Sequence, residues 1–317
     1  MYFPYLRGRQ FELIAIRELV ENSLLSGYII PIIEPVKLSS TLIKTIQTFI
    51  KNGKELALVD NPKVGDFISD MNNETNVRAK EEFLELTKSE KIICVHYLDS
   101  NSKKYFSKLS ERRQSISDIV TICDNEDYIP VYENLFSLGN PRYNVIPDES
   151  VFRRNIRHNR VMMDNKFNKL VRNTDYAEKD DEPFSSDHIY CYEDGYVGFS
   201  DYSIIGKDFS DTGFAPYAIA IHIVYFDKEK KLRIKHFVSD TNDDISDPAG
   251  KFAEAVSKLI DWNNDQGLDT YAIKLFTQMY ANEIYPGLGT VKKLSIMHHI
   301  ELIGRYFDGR ISHDFLR

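Results

Sequence analysis

The stretch that decides the fold runs from residue 28 to residue 62, YIIPIIEPVKLSSTLIKTIQTFIKNGKELALVDNP. It begins with an apolar segment, YIIPIIEP (28–35), and ends with another, ELALVDNP (55–62). Between them, SSTLIKTIQTFIKNG (39–53) has the apolar spacing of a helix, with a serine as its N-cap and Gly53 beyond its end. A helix between two continuous apolar strands is typical of a parallel sheet that is covered by helices.

The same alternation continues along the chain as far as Phe167. Further apolar strands, separated by helical segments, are predicted at KIICVHYLD, DIVTICDN, PRYNVIPDE and NRVMMDNKF. Six such units in a row favour a TIM-like (β/α) barrel. An open, doubly wound sheet is the alternative, although the G-x-G-x-x-G and Walker fingerprints common in such sheets are absent from the sequence.

The pattern changes after Phe167. Residues 168–188 are polar and acidic, and we predict a long loop there. Two β-hairpins are predicted, one around Asp194-Gly195 and one with DKEKK (227–231) as its turn. Their strands either complete the barrel or form an insertion over its mouth. Three helical segments follow, at 247–265, 270–283 and 291–307.

These patterns predict an α/β fold, a TIM-like barrel that becomes irregular in its C-terminal half. We expect one barrel-like domain over residues 1–317. Within it, regular βα units occupy 1–167, a loop and hairpin region occupies 168–245, and C-terminal helices occupy 246–317.

The composition restricts the class of protein. With 42% hydrophobic and 28% charged residues, the chain has the make-up of a folded globular protein. The net charge of -8 argues against a broadly basic nucleic-acid-binding protein and leaves a local basic groove open. No apolar run approaches the roughly 20 residues of a membrane helix. The start, MYFPYLRGRQ, lacks the features of a signal peptide, so we expect no membrane association and a cytoplasmic location.

Polar side chains follow strand after strand. Since the carboxyl ends of parallel strands in a barrel meet at one rim, these side chains are expected to converge there. Several carboxylates at one rim would repel one another, which a bound divalent cation (Mg²⁺ or Mn²⁺) or a nearby Lys or Arg would relieve. We therefore predict four metal ligands: Asp60, Asp124, Asp164 and Asp201. Five catalytic residues are predicted beside them: Glu34, His96, Lys166, Arg172 and His222.

Each of these residues also has a structural explanation. Asp and Asn are common where strands end and helices begin, because their side chains cap free N–H groups. The prolines on either side of Glu34 suit a carboxylate that is held in place, and equally a strand that merely ends. His222 alternates with apolar neighbours, as a core histidine does. Lys166 and Arg172 lie in a charged segment, and exposure of that segment to solvent is enough to explain its charge. Arg7 and Arg9, beside the strand-like YFPYL, are interpreted as sealing the base of the barrel or meeting a partner.

Three motifs stand out in the sequence: the run IIPIIEP, the segment GFSDYSIIG (198–206), and the opening residues Tyr2, Pro4, Leu6, Arg7, Gly8, Arg9, Glu12 and Leu13. In these motifs the chain resembles the Beta protein family of bacterial and phage proteins. The resemblance implies a barrel-like α/β fold and a setting in mobile elements or phage defence. It supplies no catalytic residues.

The leading hypothesis is an enzyme that acts on a phosphate-containing ligand or nucleic acid by metal-assisted phosphodiester hydrolysis. Lys166 and Arg172 would stabilise developing charge, and His96 or His222 would act as general acid. One alternative is a non-catalytic sensor or partner subunit of a defence complex, with a protein partner encoded nearby. A metal-independent lyase or isomerase on the same scaffold is another.

Overall fold

The computed structural model describes residues 1–111, 115–210 and 216–309. Its helices, in chain order, are α1 (Gln10–Glu21), α2 (Ser40–Lys51), α3 (Phe67–Asn72), α4 (Val77–Leu86), α5 (Ser102–Glu111), α6 (Ile129–Leu135), α7 (Ser150–Asn155), α8 (Asp187–Tyr190), α9 (Pro248–Gln266), α10 (Tyr271–Ala281) and α11 (Leu288–Phe307). Its strands are β1 (Tyr5–Leu6), β2 (Ile32–Ile33), β3 (Leu56–Val59), β4 (Ile92–Tyr97), β5 (Val120–Ile122), β6 (Tyr143–Pro147), β7 (Arg160–Asp164), β8 (Asp181–Ser185), β9 (Gly198–Asp201), β10 (Ala220–Phe226) and β11 (Leu232–Val238).

The described residues group into two compact units. The barrel unit comprises Met1–Leu13, Gly27–Asn165 and Asp187–Tyr202. The C-terminal unit comprises Ile14–Ser26, Lys166–Ser186 and the described residues from Ser203 onward. The division after Asn165 lies close to the change of pattern at Phe167, while the single-domain organisation over 1–317 stays a prediction.

The barrel unit contains an eight-stranded sheet in the order β1-β2-β3-β4-β5-β6-β7-β9, with every neighbouring pair parallel. Its two ends meet near the N-terminus, where Tyr2 forms parallel bridges to both Ile29 and Phe199. The backbone N–H of Phe3 donates to the Phe199 carbonyl at 2.8 Å. The sheet is therefore a nearly closed barrel with helices between most of its strands, which confirms the TIM-like prediction.

The strand register divides the barrel side chains into an inner and an outer face, because successive residues of a strand point to opposite sides. Phe3 and Tyr143 approach from strands that are not neighbours, with ring centroids 5.0 Å apart, and so mark the inner face. Following the register around the barrel puts these strand-end residues on the same face: Tyr5, Glu34, Tyr97, Asp124 and Tyr202. The outer face receives Asp60, His96, Asp164 and Asp201.

One of the two predicted hairpins is present. Strands β10 and β11 pair antiparallel from Ala220↔Val238 to Phe226↔Leu232, as the DKEKK turn predicts. The prediction of a hairpin at Asp194-Gly195 is wrong. Gly195, with φ of 78°, ends a turn after the short helix α8, and β9 then joins β7 in parallel as the eighth barrel strand. The same turn sequence thus serves a helix-to-strand connection.

The C-terminal unit contains a three-stranded antiparallel sheet in the order β10-β11-β8. Strand β8 falls inside the stretch predicted as a loop. The strand was not predicted because its sequence, DEPFS, is polar and contains Pro183. A proline is tolerated at such a sheet edge, where its missing N–H breaks no ladder. Helices α9, α10 and α11 match the three predicted helical segments. His298 Nε2 lies 2.6 Å from the Val224 carbonyl, so α11 packs on β10.

None of the helices in the described ranges is both long enough and apolar enough to cross a membrane.

Candidate functional site at the barrel mouth

A connected group of side chains lies at the carboxyl ends of the barrel strands, where barrels of this type bind their ligands. These side chains touch one another through hydrogen bonds, an ion pair and contacts between cations and rings. We call them the mouth cluster: Tyr5, Arg7, Glu34, Lys63, Tyr97, Asp124 and Tyr202.

Glu34 is the centre of the mouth cluster, and it has no exposed surface. Its Oε2 accepts hydrogen bonds from the Tyr5 hydroxyl at 2.6 Å and from the Arg7 guanidinium. Its Oε1 accepts from the backbone N–H of Lys63 at 2.7 Å. A buried carboxylate needs such partners, since its desolvation is otherwise unfavourable by several kcal/mol. The apolar run YIIPIIEP therefore ends on a glutamate because Glu34 joins the ends of three strands.

Arg7 is buried beside Glu34, and its guanidinium lies 5.3 Å from the ring centroids of both Tyr5 and Tyr202. Burial by itself lowers the pKa of Arg7, but the Glu34 carboxylate and the nearby Tyr5, Tyr202 and Tyr97 together outweigh it, so the pKa is raised and the side chain stays charged. Arg7 follows β1, which puts it at the mouth. The interpretation that it seals the base of the barrel is wrong, because YFPYL supplies a barrel strand and Arg7 lies at the carboxyl end of it.

The tyrosines of the mouth cluster stay neutral. The hydroxyls of Tyr5 and Tyr97 lie 2.7 Å apart. Burial, followed by the charge of nearby groups, raises the pKa of each well above the ordinary tyrosine value. Burial also raises the pKa of Tyr202. These phenols can donate hydrogen bonds and form walls, but at neutral pH they do not act as bases.

Lys63 and Asp124 form the open part of the mouth cluster. The Lys63 Nζ donates to Asp124 Oδ1 at 2.9 Å and lies 3.9 Å from the centroid of the Tyr97 ring. Their side chains are 45% and 28% exposed. An exposed ion pair holds its members weakly, so both groups are able to exchange partners with an incoming ligand.

Two glycines fix the loops that carry Arg7 and Lys63. Gly65 has φ of +76°, and a Cβ there would lie 2.5 Å from the Val36 carbonyl oxygen. Gly8 has φ of +65°, and a Cβ there would lie 3.1 Å from the Glu34 carbonyl oxygen. Only glycine suits a left-handed backbone conformation with so little room. These glycines bring the loops close to β2 and so position the basic residues next to them.

Two of the predicted site residues, Asp60 and His96, lie together on the outer face. His96 Nδ1 is 2.9 Å from Asp60 Oδ1, and its Nε2 is 3.0 Å from Ser102 Oγ. This is the connectivity of a Ser-His-Asp triad. Ser102, however, has no exposed surface, and its Oγ accepts the backbone N–H of Asp99 at 2.8 Å. The His96 ring also stacks on Tyr105 of α5 at 4.0 Å. We interpret this group as the attachment of α5 to β4.

Asp164 and Asp201 are paired in register on the outer face, away from Glu34 and Asp124. Asp201 is buried and accepts a hydrogen bond from the Tyr2 hydroxyl at 2.8 Å. Asp164 is exposed and accepts from the backbone N–H of the next residue. The structure thus brings Glu34 and Asp124 to the mouth and leaves the other predicted acids outside it.

The remaining predicted catalytic residues, Lys166, Arg172 and His222, belong to the C-terminal unit. His222 Nδ1 lies 2.7 Å from His236 Nδ1, and burial lowers the pKa of His222 well below its ordinary value. His222 is therefore neutral at physiological pH. Arg172 is exposed, and Lys166 is half-buried.

Within the described ranges, no group of three His, Cys, Asp or Glu side chains is arranged to hold a metal ion. At the mouth, Glu34 already accepts three donors, which leaves Asp124 as the carboxylate with open surface. A cation bound there would need additional oxygens from its ligand. The divalent metal stays a prediction.

Sequence reasoning missed several members of the mouth cluster, namely Tyr5, Arg7, Lys63, Tyr97 and Tyr202. A signal for Tyr5 and Arg7 was present, since YFPYL is a short continuous run of aromatic and apolar residues, as a buried strand is, and Arg7 follows it directly. The sequence contains no such signal for Lys63. The position of Lys63 depends on the path of a short loop, and that path is set by the contact of Gly65 with Val36.

The mouth cluster is defined by contacts within this chain. Comparisons with models of protein families, with curated proteins and with solved structures found no match.

Proposed function

We propose that this protein binds a phosphate-containing ligand at the mouth cluster and, as an enzyme, hydrolyses a phosphodiester with Mg²⁺ or Mn²⁺. The observation that carries the proposal is the open Lys63–Asp124 ion pair, which lies next to the buried Arg7–Glu34 pair at the carboxyl ends of barrel strands. An exposed cation beside an exposed carboxylate can contact an anionic ligand and a metal ion together.

Lys63 supports phosphate binding. Its ammonium has three donors, of which one is directed at Asp124. Charge-assisted bonds from ammonium to phosphate are about twice as strong as neutral ones. The nearby Arg7 stays protonated, and its charge is balanced by the buried Glu34 carboxylate. The Lys63 ammonium, in its exposed pair with Asp124, is therefore the charge that the mouth offers to a phosphate.

Asp124 supports a role for a divalent ion. Mg²⁺ is commonly held by one or two carboxylates together with the phosphate oxygens of its substrate. Asp124 would hold the ion, and the Lys63 ammonium, released from Asp124, would bind the phosphate. The chemistry that the ion would supply is an activated water for attack on phosphorus; the P–O bond to the leaving alcohol would break, and the alcohol oxygen would take up the proton that the water loses. Asp124 would orient that ion, and Lys63 would stabilise the charge that develops on the phosphoryl oxygens.

A thermal-shift screen tests the proposal. Inorganic phosphate, mononucleotides and a dinucleotide would each be added with and without Mg²⁺ or Mn²⁺. A ligand at 100 times its Kd stabilises the folded protein by about 2.7 kcal/mol. We expect this shift to be lost in Lys63→Met and retained in Lys88→Met, a control at an exposed lysine whose side chain is 71% accessible.

The outcomes separate the hypotheses. A shift that appears only with the metal and is lost in Asp124→Asn, together with turnover of a phosphodiester, supports the hydrolase. A shift that needs no metal, without turnover, supports phosphate binding alone. The absence of any shift, combined with a second protein that co-purifies, would favour the sensor or partner subunit and contradict the proposal.

A further inference from the structure

A groove of about 780 Å³ lies at the end of the barrel opposite the mouth cluster. Among the residues that line it are Phe136, Leu138, Asn140, Asn155, Arg157 and His158, and we call it the base groove. Asn140 comes just before β6, and Arg157 and His158 come just before β7. These are the amino ends of parallel strands, so the base groove is separate from the proposed phosphate site.

The base groove is bordered by a concentration of positive charge in an acidic protein. Residues 153–160, RRNIRHNR, contain four arginines and one histidine and no acidic residue, while the whole chain has a net charge of -8. Residues 156–159 of this segment connect α7 to β7. A segment with this charge attracts an anion. Because the segment borders a groove, the anion would bind to a concave surface.

Two of the four arginines have acidic or carbonyl partners outside the groove. Arg153 pairs with Asp148, and Arg160 donates to the Gly195 carbonyl at 2.9 Å. Arg154 and Arg157 are exposed, and no ion pair joins either of them to an acid in the part of the chain that the structure describes. The Nε of Arg157 donates to the Arg154 carbonyl at 2.9 Å, which leaves the Nη1 and Nη2 donors of the guanidinium for a ligand.

The groove also has an apolar part. Leu138 is 100% exposed, and the rings of Tyr132 and Phe136, which also line the groove, pack with centroids 4.9 Å apart. Glu133 and Ser137 complete this part of the lining. An aliphatic surface in a groove that also holds an arginine suits a ligand that has a flat apolar part beside its phosphate. Asn140, on the lining, offers amide groups that can pair with the edge of a base.

We propose that the base groove binds a nucleotide phosphate of single-stranded nucleic acid, with Arg157 of the lining on the phosphate and Leu138 against the base. Arg154 is not in the lining; its backbone carbonyl contacts Arg157, so it adds positive charge at the edge of the groove. A free nucleotide presents the same chemistry, and competition distinguishes the two sources. The proposal does not depend on the function proposed for the mouth cluster.

The experiment is fluorescence anisotropy with a fluorescein-labelled single-stranded oligonucleotide and the full chain. We expect Arg154→Ala Arg157→Ala to weaken binding at least about tenfold at about 50 mM salt. The slope of log K against log salt should fall by about 0.7 for each lost phosphate contact. Both arginines are exposed, so the double variant should melt at the temperature of the wild type.

A control accompanies the double variant. Lys88→Ala Lys91→Ala removes the same charge from another exposed surface of the barrel unit and should bind like the wild type. Arg154 and Arg157 lie outside the mouth cluster, so a loss of oligonucleotide affinity in their variant is assigned to the base groove and not to the mouth. Competition by a mononucleotide at concentrations near that of the oligonucleotide identifies free nucleotide as the ligand, and weak competition identifies the strand.

Three results would overturn the proposal. The wild type would fail to bind the oligonucleotide at low salt, the double arginine variant would bind as tightly as the wild type, or the lysine control would lose as much affinity as the arginine variant. The last result would show attraction to net charge without a site.

Discussion

Lys63 contacts Glu34 through its backbone and Asp124 through its side chain. The Lys63 N–H donates to Glu34 Oε1 at 2.7 Å, and its Nζ donates to Asp124 Oδ1 at 2.9 Å. One residue thereby connects the buried part of the mouth cluster to its exposed part. A substitution that changes only the side chain leaves the support of Glu34 in place.

The first prediction follows from this division. Lys63→Met should weaken phosphate binding by about 10- to 100-fold, because a hydrogen bond to a charged group contributes about 1.5–3 kcal/mol. The free energy of unfolding should change by less than about 1 kcal/mol, since the lost ion pair is exposed. Isothermal titration and urea unfolding measure the two quantities. A large loss of stability with unchanged affinity would show that Lys63 is structural.

Glu34→Gln should destabilise the fold. Its Oε2 is the acceptor for Arg7 in a buried pair, and breaking such a pair by removing one charge costs about 3–5 kcal/mol. Urea unfolding would show this loss. Arg7→Met Glu34→Gln, which removes both charges, should be less destabilised than the sum of the single variants. An unfolding free energy within about 1 kcal/mol of wild type for Glu34→Gln would contradict the role given to this residue.

Gly65→Ala tests the loop that carries Lys63. The substitution introduces both a left-handed conformation and a Cβ at 2.5 Å from the Val36 carbonyl oxygen. Gly53→Ala is a matched control, because Gly53 has φ of +65° with nothing within 4 Å of its Cβ position. The control should lose about 1–2 kcal/mol of unfolding free energy from conformation alone, and Gly65→Ala should lose more. Gly65→Ala should also weaken ligand binding, while Gly53→Ala should not. Equal effects of both variants would exclude a role for the close approach.

Two histidines of α11 predict a pH dependence of stability. Burial lowers the pKa of His298 to about 4, where the Val224 carbonyl limits the shift, and that of His299 to about 3. In the unfolded chain these histidines bind protons as the pH falls through the ordinary histidine pKa of about 6.5. In the folded chain they remain neutral at that pH. Stability is therefore complete above about pH 6.5 and decreases as the pH falls toward 4, by up to about 1.4 kcal/mol per pH unit for each histidine.

Chemical unfolding between pH 7 and pH 4.5 measures this slope. His298→Gln and His299→Gln should each reduce it, although both also remove a buried hydrogen bond, to Thr270 in one case and to Ser203 in the other. A slope that is unchanged in the double variant would assign the pH dependence to other groups.

Asp60→Asn Asp164→Asn should leave ligand binding at the mouth unchanged, since both side chains lie on the outer face. The variant should lose stability where Asp60 no longer pairs with His96. Calorimetric titration with the ligand found in the screen measures the affinity. A loss of affinity equal to that of Asp124→Asn would show that the outer-face acids take part in ligand binding.

Much of the barrel could be predicted from local sequence. Continuous apolar runs separated by helical periodicity indicate parallel strands, and six of the eight barrel strands follow from that pattern. The strands that were missed or misjudged, β1, β8 and β9, are short or polar, or follow a turn typical of hairpins. Their pairing depends on which distant strand offers a free edge, and no local pattern records that.

The sequence by itself determined that polar residues come at the ends of buried strands. Only the tertiary structure decided which of them meet. Glu34 and Asp124 point inward and Asp60 and Asp164 outward, because a shift of one residue along a strand moves a side chain to the other face. Arg7 reaches Glu34 because β1 and β2 are neighbours in the sheet. Lys63 reaches Asp124 because Gly65 lets its loop approach β2, a contact between residues that are far apart in the chain.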